Sequence, residues 1–121
     1  MKIIKERTPL ILLSNDAVCL CKRPSKGLLA GLWEPPTLEG ANTEDEVRAF
    51  LSAHGCTPES IVPLPHARHI FTHVEWHMRG YILRVDEQLP GYVWVNRDER
   101  LAKAIPSAFR YYLKILEQLG Y

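Results

Sequence analysis

Apolar residues come in short runs whose period changes along the chain. Pro9 to Leu13 and Ala17 to Lys22 are two extended runs around Ser14-Asn15-Asp16, the turn-forming composition of a β-hairpin. Thr43 to His54 reads differently. Val47, Phe50, Leu51 and His54 fall on one helical face, Thr43 and Glu46 form a capping-box pair, and Gly55 ends the run. Glu44 and Asp45 suit the positive N-terminal end of such a helix. From His66 to Tyr81 apolar and polar positions alternate loosely on both sides of Phe71-Thr72-His73, which predicts two strands joined at a short loop. Tyr81 to Val85 and Tyr92 to Val95 read as strands around a turn at Asp86 to Gly91. Asn96, Arg97 and Asp98 start a short helix or turn. Pro106 opens a last helix with an apolar stripe of Ala108, Phe109, Tyr112, Leu113, Leu116 and Leu119, stopped by Gly120.

Three segments lack such a period. Met1 to Arg7 reads as a charged tether, and Cys56 to Pro65 as a connector with three prolines. Lys22 to Pro36 reads as a glycine- and proline-rich loop that ends in a short strand around Leu32 to Glu34. Leu28, Leu29, Leu32 and Trp33 should anchor it to a core. The pattern is α+β: a mixed sheet with one helix mid-chain and one C-terminal helix. Residues 1–8 are expected to be the end of a linker and residues 9–121 a single domain.

Composition narrows the function. At 121 residues the chain is one domain by length, and it can bury roughly two-thirds of its unfolded surface without a disulfide or metal. A net charge of +1 gives no global field toward nucleic acid or membrane, so any such contact needs a local patch. No apolar run is long enough to span a bilayer and no secretory h-region is present, so no membrane partner is expected. Three cysteines, an odd number, argue against a disulfide framework and fit a reducing compartment. Cys19 and Cys21 share a strand face. They are either small packing residues or half of a zinc or redox site that lacks its second pair.

The candidate chemistry gathers at His66 to Tyr81, HARHIFTHVEWHMRGY, with four of the five histidines, Arg68, Arg79 and Glu75. A cationic loop with an aromatic ring and a hydroxyl can probe nucleic acid: cations contact phosphate, the ring stacks or wedges, and the hydroxyl reads a base edge. Phe71, Thr72 and His73 form its tip, with Arg68 and His69 as backbone contacts. Lys22, Arg23 and Lys26 form a second small cluster, either a solvated loop or a phosphate contact. His69, His73 and His77 are four apart and would share a strand face, so a metal site is the alternative there. Trp33, Trp76 and Trp94 read as core, and only one of Tyr111 and Tyr112 can belong to it.

The order of parts is also informative. A hairpin ends in Lys22-Arg23-Pro24, Gly27-Leu28-Leu29-Ala30-Gly31-Leu32-Trp33-Glu34 follows, then Phe71-Thr72-His73, then Ile105-Pro106-Ser107-Ala108-Phe109-Arg110. This resembles the C-terminal, Nudix-like (MutT-like) domain of MutY-type adenine DNA glycosylases. That family usually has Phe-Pro after Trp-Glu, where this chain has Pro35-Pro36, and Ser in the loop, where it has Thr72. The resemblance implies a base-excision-repair domain that recognises 8-oxoguanine opposite adenine in double-stranded DNA. It also implies an N-terminal catalytic domain of the same enzyme, with an iron–sulfur cluster, and a bacterial cytoplasmic setting at the nucleoid. No cofactor is expected in this domain, since three cysteines cannot supply a four-cysteine cluster.

Two other classes stay open: a Nudix-type nucleotide pyrophosphohydrolase and a protein-docking module. The hydrolase chemistry looks like G-x5-E-x7-R-E-U-x-E-E-x-G-U, with U a bulky aliphatic residue and helix carboxylates holding divalent metal. Counted from Gly40, Glu46 fits, but the Arg and Glu positions fall on His54 and Gly55. Counted back from Gly55, the paired Glu positions fall on Ser52 and Ala53. Catalysis by this domain is therefore not expected.

Overall fold

A computed structural model describes residues 2–86 and 88–121. Met1 of the expected tether and Glu87 of the expected turn lie outside the described residues. The elements are β1 (Ile3–Ser14), β2 (Ala17–Lys22), β3 (Trp33–Glu34), β4 (Thr37–Glu39), α1 (Glu44–Ala53), β5 (Pro58–Pro63), β6 (Ala67–Ile70), β7 (Val74–Met78), β8 (Tyr81–Val85), β9 (Val93–Val95), α2 (Arg97–Leu101) and α3 (Arg110–Gln118). A 3-10 turn, Ser107–Phe109, leads into α3.

The long β1 organises the sheet. Its first half pairs in parallel with β7, Ile3 opposite Val74 through Arg7 opposite Met78, and antiparallel with β4. Its second half pairs in parallel with β8 and, at Leu13 and Ser14, antiparallel with β2. β9 and β3 extend from β2, β5 from β8, and β6 from β7.

Alternation along β1 then builds two cores. Leu10 and Leu12 point to one face with Val47 and Leu51 of α1, Cys19, Cys56 and Leu83. Ile11 and Leu13 point to the other with Trp76, Met78, Phe109, Tyr112 and Leu116. A strand covered on both sides reads as an unbroken apolar run, which is why Leu10 to Leu13 shows no polar alternation. The α+β expectation holds: a mixed sheet, one mid-chain helix and one C-terminal helix. The capping box at Thr43 and Glu46 forms as predicted, and Asn96 with Glu99 forms another on α2.

The structure corrects the sequence in four places. Ile3 to Arg7 is strand rather than tether: β7 offers a complete parallel ladder, and backbone hydrogen bonds form whatever the side chains carry. Pro58 to Pro63 is an edge strand on β8, with prolines at its two ends and a bulge between Pro58 and Ser60, so the proline content hid it. Leu119, placed in the core stripe, is 59% exposed because α3 ends one residue earlier. Leu28 is exposed as well, and Leu29 alone of that pair packs against the core.

Candidate nucleic-acid interface

The β6–β7 hairpin carries the predicted loop. Antiparallel pairing runs from Ala67 opposite Met78 to Ile70 opposite Glu75. The Phe71 N–H donates to the Val74 carbonyl at 2.8 Å and closes the turn. Two further bonds tie the turn to the start of β1. The Ile3 N–H donates to the His73 carbonyl at 3.0 Å, and Lys2 Nζ donates to the Phe71 carbonyl at 2.7 Å. The Phe71 ring meets Trp76 edge-on at 5.0 Å and His69 at 4.7 Å. Phe71 therefore anchors the loop while Thr72 and His73 are exposed at its tip. Aromatic pairs at this spacing add about 0.5–1.5 kcal/mol each beyond their burial, so the tip is anchored to the core through Phe71.

On one face of the hairpin, His77 Nε2 and Glu75 Oε2 lie 2.6 Å apart, and Arg68 Nη1 stands 3.9 Å from the same carboxylate. The hydrogen bond from His77, and then the charge of Arg68, holds Glu75 below the usual carboxylate range. Along the edge of β6, a cavity of about 340 Å³ opens toward the start of the last helix, lined by His66, Arg68, His69, Ser107 and Tyr111 among others. Arg68, exposed, and His69, half-buried, thus meet two residues that sequence reasoning did not assign to the site, Ser107 and Tyr111. Their signal was the Ile105–Arg110 segment, legible as a helix start but silent about what it would face. Among the described residues no three His, Cys, Asp or Glu side chains gather to hold a metal, so His69, His73 and His77 do not converge.

The second cluster splits. Lys22 and Lys26 are exposed, as a phosphate contact requires. Arg23 turns inward. Its Nη1 lies 2.9 and 2.8 Å from the two oxygens of Glu34, its Nε donates to the Leu28 carbonyl at 3.1 Å, and its guanidinium stacks 5.3 Å from the Trp76 ring centre. The expectation of a backbone contact at Arg23 is corrected accordingly: the guanidinium is held by Glu34 and Trp76 inside the fold and not presented to solvent. Arg7 stacks on the same ring at 5.2 Å, so Trp76 is a wall shared by the Lys22–Glu34 loop and the hairpin. Burial pushes the Glu34 carboxyl up while Arg23 pulls it back down. Burial, then the nearby Glu34 charge, pushes the Cys21 thiol up to about 11, and burial drives Cys19 higher still. Thiols held in the protonated form are poor metal ligands and poor nucleophiles, which favours the packing role.

The acids of α1 are occupied locally. Glu46 accepts from the Thr43 N–H at 3.0 Å, and Glu44 pairs with Arg48 at 3.2 Å. The sequence profile of the NUDIX domain family matches residues 8–115. The chain belongs to the NUDIX domain family. Its curated relatives include the adenine DNA glycosylase of Rattus norvegicus, 32% identical over 114 residues, covering 84% of this chain and 22% of that protein. The adenine DNA glycosylase of Homo sapiens is 27% identical over 112 residues, covering 83% of this chain and 20% of that one. The chain thus spans about a fifth of the length of these relatives. Among solved structures, the C-terminal domain of mouse MUTYH, determined in complex with human PCNA, superposes with a TM-score of 0.75 at 22% identity, over 96% of this chain and 89% of that one. A NUDIX hydrolase from Nitrosomonas europaea gives 0.69 at 14% identity, over 96% and 89%.

Within the NUDIX frame, the hydrolase chemistry needs several carboxylates on α1 to gather a divalent cation. The residues do not fit. In the frame opened by Gly40, His54 and Gly55 stand at the Arg and Glu positions; in the frame closed by Gly55, Ser52 and Ala53 stand at the paired Glu positions; and Glu46 caps the helix while Glu44 pairs with Arg48.

Proposed function

We propose that this NUDIX domain serves DNA repair as a lesion reader: it recognises 8-oxoguanine opposite adenine for an adenine DNA glycosylase and performs no catalysis itself. The observation that carries the reading is the β6–β7 tip, where Thr72 and His73 stand exposed above an anchored Phe71. Guanine presents acceptors at N7 and O6, whereas 8-oxoguanine carries a hydrogen on N7 and a carbonyl at C8. A Thr72 hydroxyl, or a backbone carbonyl of the tip, accepts from that hydrogen. Against guanine the same oxygen faces another acceptor, a difference of roughly 1–3 kcal/mol for one good contact. His73 touches a phosphate or base edge, Phe71 supports the stack, and Arg68, His69, Lys22 and Lys26 contact the backbone. The excision chemistry and its iron–sulfur cluster belong to the catalytic domain of such an enzyme, in the bacterial cytoplasm at the nucleoid. The similarity to adenine DNA glycosylases over most of this chain supports this assignment.

The test is an amide chemical-shift titration with two short duplexes, one with 8-oxoguanine opposite adenine and one with guanine opposite adenine. Larger shifts centred on Phe71 to His73 with the oxidised duplex are expected. Equal shifts with both duplexes would sink the lesion-reading role. In the enzyme that contains this domain, Thr72→Ala should reduce the preference for 8-oxoguanine over guanine by roughly 5- to 160-fold. An unchanged ratio would remove Thr72 from the site.

A further inference from the structure

A strongly cationic cavity lies away from the hairpin, between α2 and α3. It has a volume of about 410 Å³, and its lining includes Arg100, Lys103, Arg110 and Lys114 against a single carboxylate, Glu117. Arg110 and Lys114 are one helical turn apart and exposed, and among the described residues neither has an ion-pair partner. Arg100 is only 3% exposed. Its Nη2 donates to the Tyr121 carbonyl at 2.9 Å, but its Nη1 is buried with no hydrogen-bond partner. Arg100 thus adds a fixed positive charge at the cavity wall, while its unmet Nη1 is closed off from solvent.

We propose that this cavity is a second phosphate-binding site, which takes a backbone phosphate of duplex DNA held across the hairpin. The proposal rests on the nucleic-acid reading above and extends it to a face of the domain with no part in lesion reading. Continuity favours DNA over an acidic peptide. Tyr111, beside Arg110 on α3, lines the hairpin cavity, so cations flank the start of that helix on both sides. Lys103 Nζ stands 4.1 Å from the Trp33 ring centre, and the Trp33 N–H donates to the Ala104 carbonyl at 2.9 Å. These contacts tie the cavity to the loop that carries Lys22 and Lys26. A backbone is a row of phosphates, and a row of cations around one helix end can follow it. With a net charge of only +1, these positive side chains are balanced by acids elsewhere, which makes the strip a local patch.

The experiment is an amide-shift and anisotropy titration of this chain and of an Arg110→Gln, Lys114→Gln double variant. Both replaced residues are exposed, so the variant should fold. The probes are an undamaged short duplex, inorganic phosphate, and an oligoglutamate peptide of matched charge. The duplex should shift amides from Lys103 to Glu117 in the native chain and no longer do so in the variant, with shifts at Phe71 to His73 retained. The slope of log affinity against log salt should fall by roughly 1 for each phosphate that no longer meets a cation. Shifts at Phe71 to His73 with none at Lys103 to Glu117 would overturn this inference and leave the lesion-reading role standing. Shifts at Lys103 to Glu117 alone would support this inference and are compatible with a tip that engages only the oxidised duplex. Shifts with phosphate but not with the duplex would make it a free-anion pocket, and equal shifts with oligoglutamate would assign it to a protein partner. Either result overturns the proposal.

Discussion

At the scale of the residue, the hairpin is positioned by a glycine. Gly80 sits between β7 and β8, where a Cβ would stand 3.1 Å from the Pro9 carbonyl oxygen and 3.2 Å from Tyr112 Cζ. Neither neighbour can yield easily. Pro9 belongs to the central strand, and the Tyr112 hydroxyl is held by the Met78 and Pro65 carbonyls at 3.1 and 3.2 Å. Gly80→Ala should therefore cost about 1–3 kcal/mol, measured by urea unfolding. A variant of native stability would show that the sheet and α3 can part there without strain. The reason for the small size of Gly80 is a crossing of three segments far apart in the chain, which no local pattern records. Arg23 is the matching case: it sits among cations in sequence, and only the fold brings Glu34 and Trp76 to it.

At the scale of the element, the Lys22–Glu34 loop and the β6–β7 hairpin owe their order to charge pairs of different exposure. The Arg23 and Glu34 side chains are 14% and 11% exposed, so removing one leaves the other desolvated and unpaired. Arg23→Gln should destabilise by about 3 kcal/mol, read from the urea midpoint, with the double replacement by methionine recovering part of the loss. A loss well under 1 kcal/mol would shift the hold on the loop to its backbone bonds. The hairpin pair responds to acid. Glu75 titrates below its ordinary value of 4.5 in the folded chain because His77 donates to it. A depressed carboxylate contributes stability above its unfolded value and loses it as pH falls through the folded one. Amide exchange across residues 67–78 should quicken as pH falls from about 5 to 3, after correction for intrinsic rates, and Glu75→Gln should abolish the added pH dependence. Exchange that follows intrinsic rates alone would exclude the pair from the hairpin's stability. The hairpin itself was legible in sequence because alternation flanks a polar tip. The strand at Ile3 to Arg7 was not, because its side chains are mostly exposed and its order comes from the partner ladder.

At the scale of the whole molecule, the layered fold was legible because each layer has its own period. The run from Leu10 to Leu13 marks a strand covered on both faces, and two amphipathic helices supply the covers. The same layout is shared with NUDIX hydrolases, so fold alone does not separate a reader of nucleotides in DNA from an enzyme that cleaves free ones. The separation lies in the carboxylates of α1, and cation binding tests it without assuming a substrate. A site that held magnesium with a dissociation constant of about 1 mM would stabilise the fold by about 1.4 kcal/mol at about 10 mM magnesium. For a domain of this size that raises Tm by roughly 5 °C. With Ser52 and Ala53 where paired glutamates would stand, the expected shift is within about 1 °C, no larger than that produced by sodium chloride of equal ionic strength. A specific rise of several degrees would mean that Glu44 and Glu46 leave their pairing and capping roles and join Asp45 to gather an ion. The hydrolase reading would then displace the lesion reader as the function to pursue.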